Sequence, residues 1–400
     1  MVRLAEPLRP LFPYLKSGYT TGTRLAAPVT AQLSRLKGGW VPRGIAFTME
    51  DAARDGGRIA VAREPEVIQR PMPAGLPPEH RVFKEARSEL IPRVAVLELA
   101  EGRVMPPAAM VVTREGRLVQ DLCWYFGTKR PREHPLFLHP FPGPPTEVDG
   151  RVGVLASRGD VNYYHFLHDC LPRLAVLEQC PEIAPPDRWY VPQATRFQRE
   201  LLDLLGLPAE QRIDSAAVPH LRARELVAPG LPSDIVRNPP WVSAFLRDRL
   251  KPADVVRVPG RHVAITRGAG KHNRSITNAD EVQAVLAARG FEQVDAGELS
   301  VAEQIRTFGE ADVIVAPHGA ALANLAFCSP GATILELFPA AAVVADYWKM
   351  ASGVPGLEYR YLRGIGAQET SRRGSLVVSD ITVDVPQLTA MLDDVLASRR

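Results

Sequence analysis

Residues 311–339 read ADVIVAPHGAALANLAFCSPGATILELFP, and they carry the clearest structural signal in the chain. The runs DVIVA at 312–316 and ATILELF at 332–338 are almost wholly apolar, which is typical of buried strands of a parallel sheet. Between them, HGAALANLAF reads as a helix that begins near Gly319. A strand, a helix and a strand in this order predict a βαβ unit.

The same alternation continues on both sides of this unit. It predicts a doubly wound, Rossmann-like domain over residues 256–385, followed by a C-terminal helix at 386–400. On that helix Leu388, Met391, Leu392 and Val395 form one apolar stripe. The predicted elements of the domain are strands at 262–266, 291–294, 312–316, 332–338 and 357–362, and helices at 279–289, 301–308, from 319, and at 343–352.

Residues 151–255 repeat the pattern less regularly and predict a first Rossmann-like domain, with a cleft between the two domains. Residues 1–150 are irregular and partly β, and we expect them to pack on this first domain. The turn Arg114-Glu115-Gly116 predicts a hairpin, and the Pro-rich stretch 134–150 reads as a loop. The predicted fold class is therefore α/β. The strands expected in 151–255 are 152–157, 189–191 and 225–229, and the helices are 162–174, 195–205 and 241–250.

The composition bears on several classes of function. A chain of 400 residues with 46% hydrophobic residues is long enough for two cores. The net charge of +3 is small, and no basic run is interleaved with aromatic residues, so a nucleic-acid partner is not expected. The four cysteines form no metal-binding spacing, and we expect reduced thiols. No signal peptide or membrane span is evident, so the expected location is the cytoplasm, with peripheral attachment to the inner membrane face left open.

The segment NYYHFLHDCLPRL at 162–174 places polar side chains in a helical pattern. At about 100° per residue they fall on one side of the helix, and a solvated face is the structural alternative. His165 and Asp169 are four residues apart, so the carboxylate can meet the imidazole, and acid–base chemistry is favoured over metal binding. Pro172 predicts a kink. The polar residues of this face are Asn162, His165, His168, Asp169 and Arg173.

The P-H-G turn at 317–319 follows a strand end and begins a helix of small residues. The unpaired N–H groups of such a helix suit a phosphate, and a close-packed βα turn is the equal alternative. Arg267, Lys271 and Arg274 follow the first strand of the same domain, in a basic stretch that suits a diphosphate. The sequence has no Walker A loop, dinucleotide fingerprint, serine-hydrolase elbow or DxD metal motif. Cations and helix N–H groups would therefore have to neutralise the diphosphate.

Three motifs together resemble glycosyltransferase family 61 in their order and spacing. They are the segment at 162–174, ITRGAGKHNRSITN at 265–278, and the stretch at 311–339. The resemblance implies a GT-B-type fold of two Rossmann-like domains facing a cleft, a nucleotide-sugar donor, usually a UDP-sugar, and inversion at the anomeric carbon with no bound metal or other cofactor. It also implies a bacterial capsule or polysaccharide-type member, related to eukaryotic O-GlcNAc and xylan-decorating transferases.

The resemblance also implies roles for single residues. We hypothesise that Asp169 is the base for the acceptor hydroxyl, with His165 orienting it or taking that role itself. Asn162, His168 and Arg173 would support the acceptor side, and Glu336 would accept hydrogen bonds from ribose hydroxyls. No residue is assigned to a metal. The predicted donor-binding set is Arg267, Lys271, Arg274, His318, Gly319, Ala320, Ala321, Asn324 and Glu336.

The predicted function is transfer of a sugar to a hydroxyl of a glycan, lipid-linked or protein acceptor in polysaccharide biosynthesis. A non-catalytic nucleotide-sugar binder is the main alternative, and a nicotinamide-dependent oxidoreductase is disfavoured because the glycine fingerprint is missing. Tyr347 and Trp348 are expected to pack in the core rather than stack on a ligand. The sugar, the nucleotide, the acceptor, the linkage and a homo-oligomeric state stay open.

Overall fold

The computed structural model of the chain describes residues 12–36, 40–107, 109–123, 134–138, 143–232, 237–266, 275–366 and 379–399. In these ranges the strands form two large sheets and a two-stranded ribbon of β3 and β5. The strands are β1 (Gly44–Ala46), β2 (Gly57–Arg63), β3 (Glu66–Gln69), β4 (Ala74–Leu76), β5 (Ser88–Ile91), β6 (Val94–Ala100), β7 (Arg103–Met105), β8 (Met110–Val112), β9 (Arg117–Val119), β10 (Thr146–Val154), β11 (Arg188–Val191), β12 (Arg212–Asp214), β13 (Leu221–Pro229), β14 (His262–Thr266), β15 (Phe291–Asp295), β16 (Val313–Pro317), β17 (Thr333–Phe338) and β18 (Glu358–Arg363).

Helices of very different lengths connect these strands. Most are short, and several connections are single 3₁₀ or π turns. The α-helices are α1 (Phe12–Leu36), α2 (Met49–Ala53), α3 (Arg81–Ala86), α4 (Pro135–Leu138), α5 (Tyr163–His165), α6 (Arg173–Glu178), α7 (Arg196–Leu204), α8 (Pro240–Leu250), α9 (Ala279–Ala287), α10 (Val301–Glu310), α11 (Asp346–Ala351) and α12 (Val385–Ala397). The others are a π-helix at Phe166–Cys170 and 3₁₀ helices at Gln120–Leu122, Ala209–Gln211 and Ala320–Phe327.

The second sheet is parallel throughout, in the order β15-β14-β16-β17-β18-β4. Strands β14 to β18 alternate with helices at the positions that the sequence predicts. The prediction succeeds because the apolar runs of these strands are buried on both faces of the sheet, as is typical of parallel sheets. The strand order reverses between β14 and β16. The carboxyl ends of these two strands therefore border a topological switch point, where ligands of open α/β sheets bind.

The first sheet is mixed. Strands β13, β10, β11 and β12 are parallel neighbours, and antiparallel strands β6 and β7 extend the sheet from β13. The predicted hairpin at residues 114–116 is confirmed, since β8 and β9 pair antiparallel. The predicted loop up to residue 150 is wrong at its end, because β10 already begins at Thr146. A register shift between Val148 and Arg151 and an exposed first half let this strand carry polar residues, which concealed its strand pattern.

The N-terminal region contacts both sheets rather than the first alone. Strand β4 pairs with β18 at the edge of the second sheet, which covers an edge that would otherwise expose unpaired backbone groups. The ring of Phe83 packs 5.3 Å from Trp348 and 4.6 Å from Tyr361, measured between ring centroids. The indole Nε1 of Trp348 donates to the carbonyl of Pro71 at 3.1 Å. The expectation that Trp348 packs in the core is confirmed, because its side chain is fully buried.

One hydrophobic cluster of buried side chains runs through both halves of the chain. In the half that contains the first sheet it includes Phe166 and Leu171, which lie between β10 and β11. In the half that contains the second sheet it includes Phe308, Leu322 and Phe327, and all five side chains are fully buried. Apolar packing therefore holds the two halves together, in addition to the connecting chain.

The two terminal helices differ in their environment. Helix α12 is observed where the sequence predicts a C-terminal helix, and Leu388, Leu392 and Val395 are buried with residues of the second sheet. Helix α1 is 25 residues long. Within the described residues, no helix combines the length and the apolar character that crossing a membrane requires.

Candidate active site

The segment at 162–174 is not one regular helix. The side chain of Asn162 caps α5 by accepting from the backbone N–H of Tyr164 at 2.9 Å. A π-helix follows at Phe166–Cys170, in which the N–H of Leu171 donates to the carbonyl of Phe166 at 3.2 Å. The irregularity thus begins before Pro172, where the sequence predicts a kink. Because the wide turn shifts the helical phase, the polar residues do not share one solvated face.

His165 and Asp169 form the predicted pair. The Nδ1 atom of His165 lies 2.7 Å from Oδ2 of Asp169. The His165 side chain is 26% exposed, whereas that of Asp169 is 3% exposed. Among the described residues, none hydrogen-bonds Nε2 of His165. Gly159, at φ +88°, lets its loop lie against the imidazole, because a Cβ there would approach the His165 ring carbon Cδ2 to 2.9 Å. The arrangement presents one imidazole nitrogen outward and orients the ring through a buried carboxylate.

His168 connects the two halves instead of facing an acceptor. Its side chain is fully buried, its Nε2 donates to the carbonyl of Ala323 at 3.0 Å, and its ring stacks on Tyr164 at 5.2 Å between centroids. Burial lowers the pKa of His168 to about 4, so the ring is neutral at neutral pH. This environment fits a supporting role for His168 within the protein and leaves its ring no surface for contact with an acceptor.

Arg173 is also buried, contrary to its place on the predicted polar face. Its Nε donates to the carbonyl of Pro229 at 2.7 Å, and its Nη1 donates to the carbonyl of Ala156 at 2.8 Å. These carbonyls lie at the carboxyl end of β13 and just beyond β10. Burial lowers the pKa of Arg173 to about 10, which still leaves the guanidinium charged at neutral pH. Arg173 therefore ties together the carboxyl ends of β13 and β10, and α5 follows the second of these strands.

Glu336 does not have the surface that its predicted contact with a ribose requires. Its side chain is fully buried, and one carboxylate oxygen lies 2.5 Å from Nδ1 of His318. The other oxygen accepts from the hydroxyl of Tyr359. Burial raises the pKa of Glu336, and the hydrogen bonds from His318 and Tyr359 oppose that rise. The role of Glu336 is to hold His318 in place, since the parallel pairing of β16, β17 and β18 brings these three side chains together.

The segment after the P-H-G turn is a 3₁₀ helix at Ala320–Phe327, and not the α-helix that its small residues suggest. The N–H of His318 donates to the carbonyl of Leu337 at 2.9 Å, so it is not available to a phosphate. Asn324 is fully buried, and its side-chain amide is satisfied there, since it accepts from the Tyr163 hydroxyl at 2.7 Å and donates to Gln304 at 2.9 Å. Asn324 is therefore a link between the halves and does not line the cavity where a donor would bind.

A cavity of about 570 Å³ lies at the switch point of the second sheet. Gly319, Ala320 and Ala321 of the predicted donor set line it. Tyr163 contributes from the other half, on the same short helix as His165. Arg267, Lys271 and Arg274 lie outside the described residues.

Asp295 is a candidate binding residue that the sequence reading missed. It is the last residue of β15, it lines the cavity, and one of its carboxylate oxygens accepts from the N–H of Gly297 at 2.9 Å. An acidic residue at the end of the second strand of a Rossmann-like unit is well placed to accept from ribose hydroxyls. The signal was an Asp directly after the predicted strand FEQV. Across the described ranges, no three His, Cys, Asp or Glu side chains converge as a metal site.

The family of the chain follows from comparison with known proteins. Residues 163–335 match the family described as Glycosyltransferase 61. The matched segment begins at α5, which carries His165, and ends in β17, so it includes the imidazole pair and most of the cavity wall from the second half. A search among curated proteins found no match. Residues 163–335 therefore form a glycosyltransferase family 61 domain, and the protein is a glycosyltransferase.

Proposed function

We propose that this enzyme moves a sugar from a nucleotide-sugar, a UDP-sugar by resemblance to its family, to a hydroxyl of a glycan, lipid-linked or protein acceptor. The reaction inverts the anomeric carbon without a bound metal, in a GT-B-type arrangement, and serves polysaccharide biosynthesis in the cytoplasm. The observation that carries this proposal is the His165–Asp169 pair, whose outward imidazole lies on the same helix as a wall residue of the switch-point cavity.

In this proposal His165 is the base and Asp169 is its positioning residue. A base must come within hydrogen-bond reach of the proton that it takes. The side chain of Asp169 is 3% exposed and is already hydrogen-bonded to Nδ1 of His165, so it has almost no surface for an acceptor. The Nε2 atom of His165 has that access. Asp169 holds the ring in the tautomer that leaves Nε2 unprotonated and stabilises the imidazolium that forms.

The donor occupies the cavity of about 570 Å³. The backbone N–H groups of residues 319–321 support the diphosphate, and Asp295 accepts from the ribose hydroxyls. Arg267, Lys271 and Arg274 remain donor contacts proposed from sequence alone. In the reaction the acceptor oxygen bonds to the anomeric carbon, the bond from that carbon to the diphosphate oxygen breaks with its electron pair, and the hydroxyl proton passes to His165.

The direct test is transfer from a panel of nucleotide-sugars in the presence of EDTA. We expect release of the nucleoside diphosphate without added metal, and NMR should find the inverted anomer in the product. Replacing Asp295 by Asn should raise the KM for the donor about 10- to 100-fold, because a hydrogen bond to a charged group is lost. Glu292→Gln, an exposed acid on the same strand, is the matched control. Activity that returns only with manganese, retention at the anomeric carbon, or an unchanged KM in Asp295→Asn would contradict the corresponding part of the proposal.

We also propose that α1 attaches the enzyme to an anionic membrane surface. Leu25, Val29, Leu33 and Leu36 recur at helical spacing on α1 and are 51–79% exposed. The helix contains three basic residues and no acidic one, and residues 1–37 hold six Arg or Lys against one Glu, in a chain whose net charge is only +3. An apolar stripe on a basic helix fits the surface of a bilayer with anionic lipids.

Vesicle co-sedimentation of the full chain tests this attachment. We expect binding to vesicles of phosphatidylcholine with phosphatidylglycerol, weak binding to phosphatidylcholine alone, and loss of binding in the double variant Leu25→Ser, Leu33→Ser. Val258→Ser, at another exposed apolar residue, should bind as the unchanged protein does. The membrane proposal is wrong if the unchanged protein does not bind vesicles. If, in addition, light scattering finds a dimer of the unchanged protein that the double variant does not form, the apolar stripe of α1 packs against a second copy of the chain.

A further inference from the structure

A second cavity, of about 690 Å³, lies beyond the carboxyl ends of β17 and β18. One wall consists of the small residues 340–345 and the start of α11, and the facing wall comes from α3 and β5 of the N-terminal region. The cavity is therefore built where the N-terminal region meets the second sheet. Neither the family match nor the donor cavity assigns a role to it.

Asp346, the first residue of α11, lines this cavity. Within the described part of the chain, no side chain or backbone N–H donates to that carboxylate, and it forms no ion pair. Glu89 of the same cavity is paired, since it lies 2.8 Å from Nζ of Lys349 and 3.0 Å from Nη1 of Arg70, and Arg363 adds a positive charge to the lining. An unpaired carboxylate in a mostly buried position costs stability, which suggests that a ligand supplies the missing donor.

The backbone at Asp346 is tied to the helix that carries His165. The side-chain Nδ2 of Asn238 donates to the carbonyl of Asp346 at 3.2 Å and lies 2.8 Å from the Tyr164 hydroxyl. The rings of Tyr164 and Tyr347 also meet edge to face at 5.8 Å. These contacts tie the first residue of α11 to Tyr164, which is the neighbour of His165 in α5.

The charges around Asp346 agree with this position. Burial raises the pKa of Asp346, while His318, Lys349 and His165 lower it and Glu89 raises it further. A purely structural role as a helix cap is not supported, because the N-cap residue of α11 is Ala345 and no side chain caps the helix.

We propose that the second cavity is the acceptor subsite and that the Asp346 carboxylate binds a hydroxyl of the acceptor, next to the hydroxyl that His165 deprotonates. This inference rests on the proposed transfer reaction. The acceptor class that fits is a neutral sugar or polyol, since hydroxyls satisfy a carboxylate and the small wall residues Ala340, Ala341 and Ala342 let a ring approach.

The test is Asp346→Asn in the full chain, with donor and acceptor kinetics measured separately. We expect the KM for the acceptor to rise about 10- to 100-fold, because an acceptor hydroxyl loses its charged partner. The KM for the donor and the slow hydrolysis of the donor by water should stay unchanged, which a merely structural role would not predict. Glu85→Gln is the matched control, because Glu85 lines the same cavity but is paired with Arg81 at 2.5 Å.

A second variant keeps the subsite testable if Asp346→Asn does not fold. Ala341→Phe narrows the cavity from a second position on the wall that carries Asp346, and it should also raise the KM for the acceptor alone. If the unchanged enzyme transfers sugar and both variants keep its acceptor KM, the subsite is wrong while the proposed function stands. If the unchanged enzyme neither transfers nor hydrolyses any nucleotide-sugar, the proposed function itself fails, and the subsite inference fails with it.

Discussion

Replacing His165 by Gln should lower the rate of sugar transfer about 10²- to 10⁴-fold, which is the usual contribution of a positioned general base. Gln keeps the size of the side chain and a hydrogen bond to Asp169, but it cannot take up the acceptor proton. Donor binding should change little, because His165 does not line the donor cavity. Transfer at saturating substrates, with calorimetry of donor binding, measures both effects.

Asp169→Asn distinguishes the two assignments of the base that the sequence leaves open. If Asp169 only positions His165, the Asn variant loses transfer because its amide favours the wrong tautomer of the ring. His165→Gln must then lose at least as much activity. If His165→Gln transfers at the normal rate while Asp169→Asn is inactive, Asp169 is the base. His262→Gln, at a histidine away from both cavities, serves as the control.

Replacing Glu336 by Ala should lower the free energy of unfolding by about 3–5 kcal/mol, because each buried group left without its hydrogen-bond acceptor costs about 1–3 kcal/mol. The variant leaves the Nδ1 of His318 and the hydroxyl of Tyr359 without their shared acceptor in a fully buried position. Gln at this position should cost less, because its side chain still offers an oxygen and an N–H group. Urea unfolding followed by circular dichroism measures the difference.

Exposed Glu210 provides the comparison, and Glu210→Ala should change the free energy of unfolding by less than about 0.5 kcal/mol. The folded fraction of the Glu336 variants should keep a normal KM for the donor. A large rise of that KM with unchanged stability would restore the role that the family resemblance implies, a contact between Glu336 and the ribose.

The order of strands and helices in residues 262–363 was predictable because each buried strand is a short apolar run and each helix repeats at its own period. The pairing of His165 with Asp169 was predictable for a similar reason, since residues four apart meet on a helical turn. The π-helix at Phe166–Cys170 was not, because nothing in the local pattern marks an extra residue in a turn. It moved His168 and Arg173 from the predicted polar face into the core.

The donor set illustrates the same division. Gly319, Ala320 and Ala321 line a cavity, as the P-H-G turn suggested. Asn324 and Glu336, which the sequence assigns to the donor, are instead fully buried, and their partners Tyr163 and Tyr359 lie 161 and 23 residues away in sequence. Asp295 and Asp346 went unnoticed because each is an ordinary acidic residue until the sheet and α11 place it at a cavity.

Local patterns were thus enough to predict an α/β chain and a histidine–carboxylate pair, since the type of an element and a contact four residues along a helix depend on neighbours within about one or two turns of backbone. The strand order that creates the switch point depends on pairing between distant segments. Exposure is a different property. Whether His165 or Asp169 faces a substrate, and which polar residues link the halves, followed from packing between elements far apart in sequence. A side chain's access to a ligand depends on everything that covers it, and most of that cover comes from elsewhere in the chain.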